Sequence, residues 1–354
     1  MAEAPVILIA NIDKGGVFAD IVGTLELLES EERDRIKGIV INKFRGDVER
    51  FKSGIDFIES YTNKPVLGVI PYSEEINLPE EDCLISDEFG SEDYQIEIAI
   101  IYLPHISNFT DFDFLAYEPE TKVRYLRKVS ELGKPDLIII PGSKNTIGDL
   151  EYLYQIGMVK KIQELYQEDT LVIGICGGYQ ILGKKIKDPL GIETGKKGID
   201  GIGLLDIETI LAAEKITSQV KAWPNNSLPF IKGNNRNNNT ILNAYEIHQG
   251  RTERGSQVTP LFQIVRNGSD EEVKDGAISV DDMAWGTYLH GLFDNDFFRR
   301  SLINFLRKRK GLKPLQDDSF SAKKERENAY NQFAELVHEN LDMDLLQEII
   351  FCEH

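Results

Sequence analysis

The chain has 354 residues, is 41% hydrophobic, and carries 40 basic against 59 acidic residues for a net charge of −19. That length and apolar content suffice for a substantial core and about two domains, and an acidic excess without a long basic stripe argues against a nucleic-acid or anionic-membrane partner. No run approaches the roughly 20 apolar residues of a membrane span.

The N-terminus lacks the basic region and apolar length of a secretory signal. Cys83, Cys176 and Cys352 are scattered, forming neither a disulfide framework nor a metal-ligand cluster, so a reducing cytoplasm and no metal centre are expected. In chain order, the apolar run 5–12 predicts a buried strand, and Asp13, Lys14, Gly15 and Gly16 a turn into a helix ending near Leu28. Further strands are predicted at 38–42 and 65–71, and strands alternating with helices argue for a parallel α/β sheet. The acidic, turn-rich stretch 73–94 reads as a linker. A strand at 96–103 opens the second domain. The loop after it, with His105, Asn108, Asp111 and Asp113, reads as the Asx-rich start of a helix. A buried strand at 136–140 ends at Pro141 and Gly142, with Thr146 and Asp149 as a variant capping box. A strand-like segment starts at 203, the Asn-rich stretch 223–240 reads as an exposed hairpin tip, and 245–252 resumes a strand. The tail has apolar residues at helical spacing, Tyr330, Phe333, Leu336, Val337 and Leu341, and is expected to pack on the second domain or a partner.

The most chemically specific stretch is 171–183, Leu-Val-Ile-Gly-Ile-Cys-Gly-Gly-Tyr-Gln-Ile-Leu-Gly. A β-branched run ends at Cys176, and apolar positions at helical spacing follow, so Cys176 sits on a sharp strand-to-helix turn. Gly174, Gly177 and Gly178 supply the backbone freedom and clearance that such a turn demands. A thiol there feels the positive end of the helix dipole, which favours the attacking thiolate. The plainer reading is a buried Cys in a tight glycine turn. A nucleophile needs a base, and only His105, His248, His290, His338 and His354 are present. Thr287 to Leu289 reads as a strand, which puts His290 at the end of a neighbouring strand of the same sheet, within reach of the turn.

The motifs GICGGYQ and YLHG, with PGSKNT upstream and YEIHQGRT between, together resemble the cobyric acid synthase family of glutamine-dependent corrin amidotransferases. LPHISNFTDFD, which the resemblance places near the site region, DKGGVFADIVGT and VINKFRGD are also similar to that family. The resemblance implies a partial P-loop-type, dethiobiotin synthetase-like sheet (1–90), then a flavodoxin-like class I glutamine amidotransferase domain (91–318) and a helical tail (319–354). It implies Cys176 as nucleophile and His290 as proton carrier. Backbone N–H groups of Gly142 and Gly177 would be aimed at the oxyanion, where losing one donor typically costs about 100- to 1000-fold. Gln180, His248 and Gln249 would contact the glutamine, and Asn42 and Asp13, with Lys14, the nucleotide region. The ammonia would serve ATP- and Mg²⁺-dependent amidation of the b, d, e and g carboxylates of adenosylcobyrinic acid a,c-diamide in cobalamin biosynthesis, with no tightly bound cofactor.

The sequence departs from this pattern at one place expected of the ligase half. A Gly-rich phosphate loop ending in Lys-Thr or Lys-Ser is absent, so the missing half is expected to be lost or supplied by another subunit. Leu292 stands where class I amidotransferases commonly carry the Glu that orients the His, a gap the cobyric acid synthase family shares; a backbone carbonyl or another carboxylate, Glu246 among them, is left for that role. Two rivals remain: a Cys hydrolase or peptidase on a related fold, and a non-catalytic binding or regulatory subunit.

Overall fold

The structure, a computed structural model, describes residues 4–73, 76, 88–231, 240–316 and 321–351. Cys83, Cys352, His354, much of the acidic 73–94 stretch and the Asn-rich run 232–239 lie outside the described residues. The chain divides into two compact units, Met1–Pro79 with Lys324–His354, and Glu80–Lys323.

In the first unit, β1 (Val6–Asn11), α1 (Val17–Leu27), α2 (Ser30–Arg35), β2 (Ile36–Phe44), α3 (Val48–Thr62) and β3 (Val66–Pro71) make a parallel sheet in the order β1-β2-β3. Val17, Ile21 and Leu25 recur every fourth residue of α1 and bury one stripe against Ile39 and Ile41 of the sheet. The acidic segment after α1 is helical because Glu29 and Glu32 cap each other's backbone N–H groups at the start of α2.

The second unit begins with β4 (Glu88–Gly90), β5 (Ile96–Ile101), β6 (Ile106–Ser107), a 3₁₀ segment at Phe109–Tyr117, and β7 (Thr121–Leu126). It continues through β8 (Leu137–Ile140), β9 (Gly142–Ser143), α4 (Thr146–Gln155), α5 (Met158–Gln167), β10 (Leu171–Ile175) and α6 (Gly177–Leu182). Then come β11 (Lys185–Lys187), β12 (Gly198–Asp200), the long hairpin β13 (Ile207–Pro224) and β14 (Leu242–Arg254), β15 (Val258–Thr259), β16 (Phe262–Arg266) and β17 (Glu272–Asp275). β18 (Ala277–Ser279), β19 (Ala284–Thr287), β20 (Leu289–His290) and α7 (Asp296–Arg309) close it. The main sheet runs β15-β18-β19-β10-β8-β5-β7-β4; its central strands β19, β10, β8, β5 and β7 pair in parallel. Such strands are covered on both faces, which is why 171–175 and 137–140 are uninterrupted apolar runs, fully buried. A second sheet, β12-β11-β13-β14-β20, carries the long hairpin.

Three expectations are corrected here. The start of α4 is capped by Asn145, whose side chain accepts from Gly148 N, while Asp149 turns away to other partners. Residues 225–231 are not an exposed tip: Leu228 and Ile231 are buried, and Phe230 packs on Trp285, Phe298 and Phe305. The tail forms α8 (Ala322–Asn340) and α9 (Met343–Phe351), and its apolar stripe packs within the first unit. Leu336, Val337, Leu341, Leu345 and Leu346 cover Val40, Leu67 and Ile70, the sheet face opposite α1. An all-parallel sheet needs that second cover, and the tail supplies it.

Candidate active site

β10 lies at the centre of the main sheet between β8 and β19, so its carboxyl end opens at the middle of the sheet edge where α/β folds bind ligands. There the chain reverses at Cys176, whose φ of 53° and ψ of −108° are unusual for any residue with a side chain. The turn is tight because α6 presses onto β8: a Cβ on Gly178 would stand 1.9 Å from the Ile140 carbonyl oxygen. The strain is held by the flanking strands, Cys176 N donating to Thr287 O at 2.8 Å. The sulfur faces the Ile247 carbonyl oxygen at 3.5 Å. Gly177 is the first residue of α6, so its N–H has no partner within the helix and remains for another acceptor.

His290 does not sit on the strand next to β10. That neighbour is β19, which ends at Thr287; the chain then crosses into the second sheet, where His290 pairs with Tyr245 of β14. The Tyr245 ring stacks on the imidazole at 5.0 Å and 18°, held by Asn108 Nδ2 donating to its hydroxyl. Asp111 Oδ2 lies 2.6 Å from His290 Nδ1, and its other oxygen accepts from Gly291 N at 3.1 Å. Both residues are buried. The second ring nitrogen, Nε2, is buried without a conventional hydrogen bond. Burial disfavours the charged imidazole, but the Asp111 charge, its hydrogen bond and the Cys176 side chain outweigh it and raise the His290 pKa to about 10. The carboxylate that orients this His is therefore Asp111, 179 residues away in sequence, and not Glu246. Glu246 is instead engaged by Arg266 Nε at 2.7 Å and faces His248 Nε2 at 3.6 Å.

Beside the sulfur is a cavity of about 200 Å³. Cys176, Gly177, Gln180, His248 and Gln249 line it together with Asn108, Ser143, Lys144, Thr146, Glu193 and Lys215. Four of the expected glutamine contacts thus share one wall system with the sulfur, whereas Gly142 is not in the lining and packs against the His290 ring. Glu193 arrives on a loop wound around the buried Asp188 carboxylate, which accepts from the N–H groups of Ile192 at 2.8 Å and Glu193 at 3.0 Å. Burial raises the Glu193 carboxyl above its ordinary value, although Oε2 accepts from Ile147 N at 2.8 Å in the first turn of α4. No motif singled out Glu193; only the loop's winding brings it to the cavity.

The CobB/CobQ-like glutamine amidotransferase domain family matches residues 97–298, the part that carries this geometry, and an AAA domain family matches 1–80. The cobyric acid synthase of Thermoanaerobacter sp. (strain X514) is 47% identical over 352 residues, spanning 99% of this chain and 69% of that protein. That of Yersinia enterocolitica is 44% identical over 354 residues, spanning 99% and 68%. The chain belongs to the cobyric acid synthase family. Among solved structures, PurLQS from Thermotoga maritima aligns with a TM-score of 0.45 at 21% identity, covering 60% of this chain and 99% of that one.

This chain carries an α/β glutamine amidotransferase fold and a unit of P-loop-type sheet architecture. In that first unit Asp13 follows the carboxyl end of β1 and Asn42 lies within β2 near its carboxyl end, with Asn11 and Asn42 in register. Their polar atoms are occupied locally: Asp13 Oδ1 accepts from Arg45 Nε at 2.7 Å, and Asn42 Oδ1 from Lys43 N at 2.8 Å. Lys14 instead lines a cleft of about 290 Å³ along β1 and α1. Among the described residues no group of three His, Cys, Asp or Glu side chains is placed to hold a metal ion, and no helix is long and apolar enough to cross a membrane. His105 pairs through Nδ1 with Asp149 at 2.8 Å, and Ser143 donates to the same carboxylate at 2.6 Å, an arrangement that ties two loops together.

Proposed function

We propose that this chain hydrolyses glutamine to glutamate and ammonia, with Cys176 as nucleophile, His290 as proton carrier and Asp111 as its orienter. The observation that carries the reading is the alignment of the buried Asp111 carboxylate on His290 Nδ1, which commits that nitrogen and leaves Nε2 for the Cys176 side. Glutamine binds in the cavity with its carboxamide at the sulfur. With His290 holding its proton on Nε2, the Cys176 sulfur attacks the carboxamide carbon as the thiolate and the carbonyl electrons move to oxygen. The N–H of Gly177, at the start of α6, supports the oxyanion. The tetrahedral species collapses, the C–N bond breaks, and Nε2 returns the proton to the departing ammonia. Water, deprotonated by the same nitrogen, then cleaves the thioester and frees glutamate. Within the cavity the Glu193 carboxylate suits the ammonium of the amino acid, and Lys144 and Lys215 suit its carboxylate. A lined cavity of about 200 Å³ favours a single amino acid over a polypeptide, and so a glutaminase over a peptidase.

By family membership, the ammonia goes to ATP- and Mg²⁺-dependent amidation of adenosylcobyrinic acid a,c-diamide at its b, d, e and g carboxylates, in the cytoplasm. The described residues of the first unit do not by themselves fit a nucleoside triphosphate: no phosphate loop is present and Asp13 is held by Arg45. The ligation step is therefore not assigned to them. The test is glutamate release from glutamine, together with labelling by a glutamine-like diazoketone. The wild-type chain is expected to release glutamate and to carry the label on Cys176, and Cys176→Ala to do neither. An unlabelled wild-type chain that releases no glutamate overturns the proposal.

A further inference from the structure

β20, which carries His290, pairs with β14 over only two residues, Tyr245 with His290 and Glu246 with Leu289. Gly291 then turns the chain away with a φ of 73°. So short a ladder leaves the direction of the imidazole to its side-chain contacts. Asp111 supplies one at Nδ1, but a single hydrogen bond tolerates a tilt of about 30° before it weakens much. Such a tilt moves Nε2, on the far side of the ring, by on the order of 1 Å, and a misplacement of that size can cost about 100-fold in rate. The second contact is the Tyr245 ring, nearly parallel to the imidazole at 18° with the centroids 5.0 Å apart. Its hydroxyl accepts from Asn108 Nδ2 at 2.6 Å. Asn108 stands three residues before Asp111 with a left-handed φ of 53°, and its carbonyl oxygen accepts from Asp111 N at 3.0 Å. One turn of chain thus grips both the imidazole and the ring stacked on it. That turn is itself anchored, because Ser107 pairs with Gly142 of β9. The face of a phenol ring carries the negative part of its quadrupole, so a stacked imidazolium is attracted more than a neutral imidazole, and the more so where the charge is buried. The ionisable groups facing the two rings are Asp111 from the 3₁₀ segment, Cys176 from the α6 turn and Asp294 from the turn after β20. Tyr245 is not part of the cavity wall, so it reaches the substrate only through His290.

We propose that Tyr245 is a positioning residue for His290: its ring, set by Asn108, holds the plane of the imidazole so that Nε2 stays on the Cys176 side, and its face favours the charged form of that ring. The inference rests on the glutaminase reading above. Asp111 and Tyr245 then divide the work. The carboxylate fixes one nitrogen and supplies the counter-charge, and the stacked ring removes the tilt that one hydrogen bond leaves open.

The experiment follows the histidine ring nitrogens of the full chain by heteronuclear NMR against pH, with His290→Gln to assign the signal, beside kcat and KM for glutamate release. Tyr245→Phe keeps the ring and removes the hydroxyl, whereas Tyr245→Leu removes the π face. In Tyr245→Leu the titration midpoint of His290, about 10 in the wild type, should fall by about one unit, the tenfold weight of a desolvated cation–π contact. Its kcat should fall about 30- to 100-fold, with KM within about twofold. In Tyr245→Phe the midpoint should stay within about 0.3 unit and kcat should fall about threefold, the ring having lost one hydrogen bond. A midpoint in Tyr245→Leu equal to that of the wild type, a midpoint that falls as far in Tyr245→Phe, or a loss carried by KM would each overturn the inference and leave the glutaminase reading standing. Tyr245→Phe keeps the packing of the ring and so tests the anchor even where Tyr245→Leu does not fold: an unchanged kcat there overturns the inference as well. A wild-type chain that releases no glutamate overturns both.

Discussion

The Asp111 carboxylate does for His290 what no residue near it in sequence can do. Its charge and hydrogen bond hold one imidazole nitrogen and favour the protonated ring against the cost of burial. Asp111→Asn keeps the shape but loses the charge, and is expected to lower kcat for glutamate release by about 10²- to 10⁴-fold, measured at saturating glutamine. The pH dependence follows from the direction of the shift. His290 is raised from its ordinary value of 6.5 to about 10, so the stability from the charged pair is fully present below pH 6.5 and is lost as pH climbs toward 10. Melting temperature should therefore fall across that window in the wild type, and fall less in Asp111→Asn. An identical slope in the two proteins would contradict the pairing.

The strand-to-helix turn at Cys176 could be read from the residues alone, because three glycines around a β-branched run leave few other conformations. What could not be read is why Gly178 in particular has to be glycine. Its Cα faces β8, and any side chain would meet the Ile140 carbonyl. Gly178→Ala should lower stability by about 1–3 kcal/mol in urea denaturation and reduce glutamate release, since α6 must lift from the sheet and take the Gly177 N–H with it. The strand ending in His290 departs from its local pattern for the opposite reason. Thr287 to Leu289 is apolar and β-branched enough for a strand, but the chain changes sheets at Tyr288, and local pattern carries no record of which sheet a strand joins.

The tail shows the same limit on a larger scale. Its apolar stripe announces a buried helix face without saying what buries it. The answer lies at the other end of the chain, on Val40, Leu67 and Ile70. Leu67 is 2% exposed, and Leu67→Ala is expected to cost about 2–5 kcal/mol, with amide hydrogen exchange rising in β1–β3 and in α8 and α9. Faster exchange in β10 and β8 instead would contradict the grouping of the tail with the first sheet.

Local residue order was enough to establish the alternation of strands and helices, the thiol on its glycine turn, and the family to which the motifs belong. Each of these depends on side-chain periodicity or backbone sterics acting over a few residues. Tertiary structure alone decided that Asp111 meets His290, that Glu246 goes to Arg266, that Glu193 enters the cavity, and that the Gln180 amide donates to Tyr288. Those pairings join residues from separate elements, and their geometry follows from how whole sheets pack rather than from any spacing along the chain.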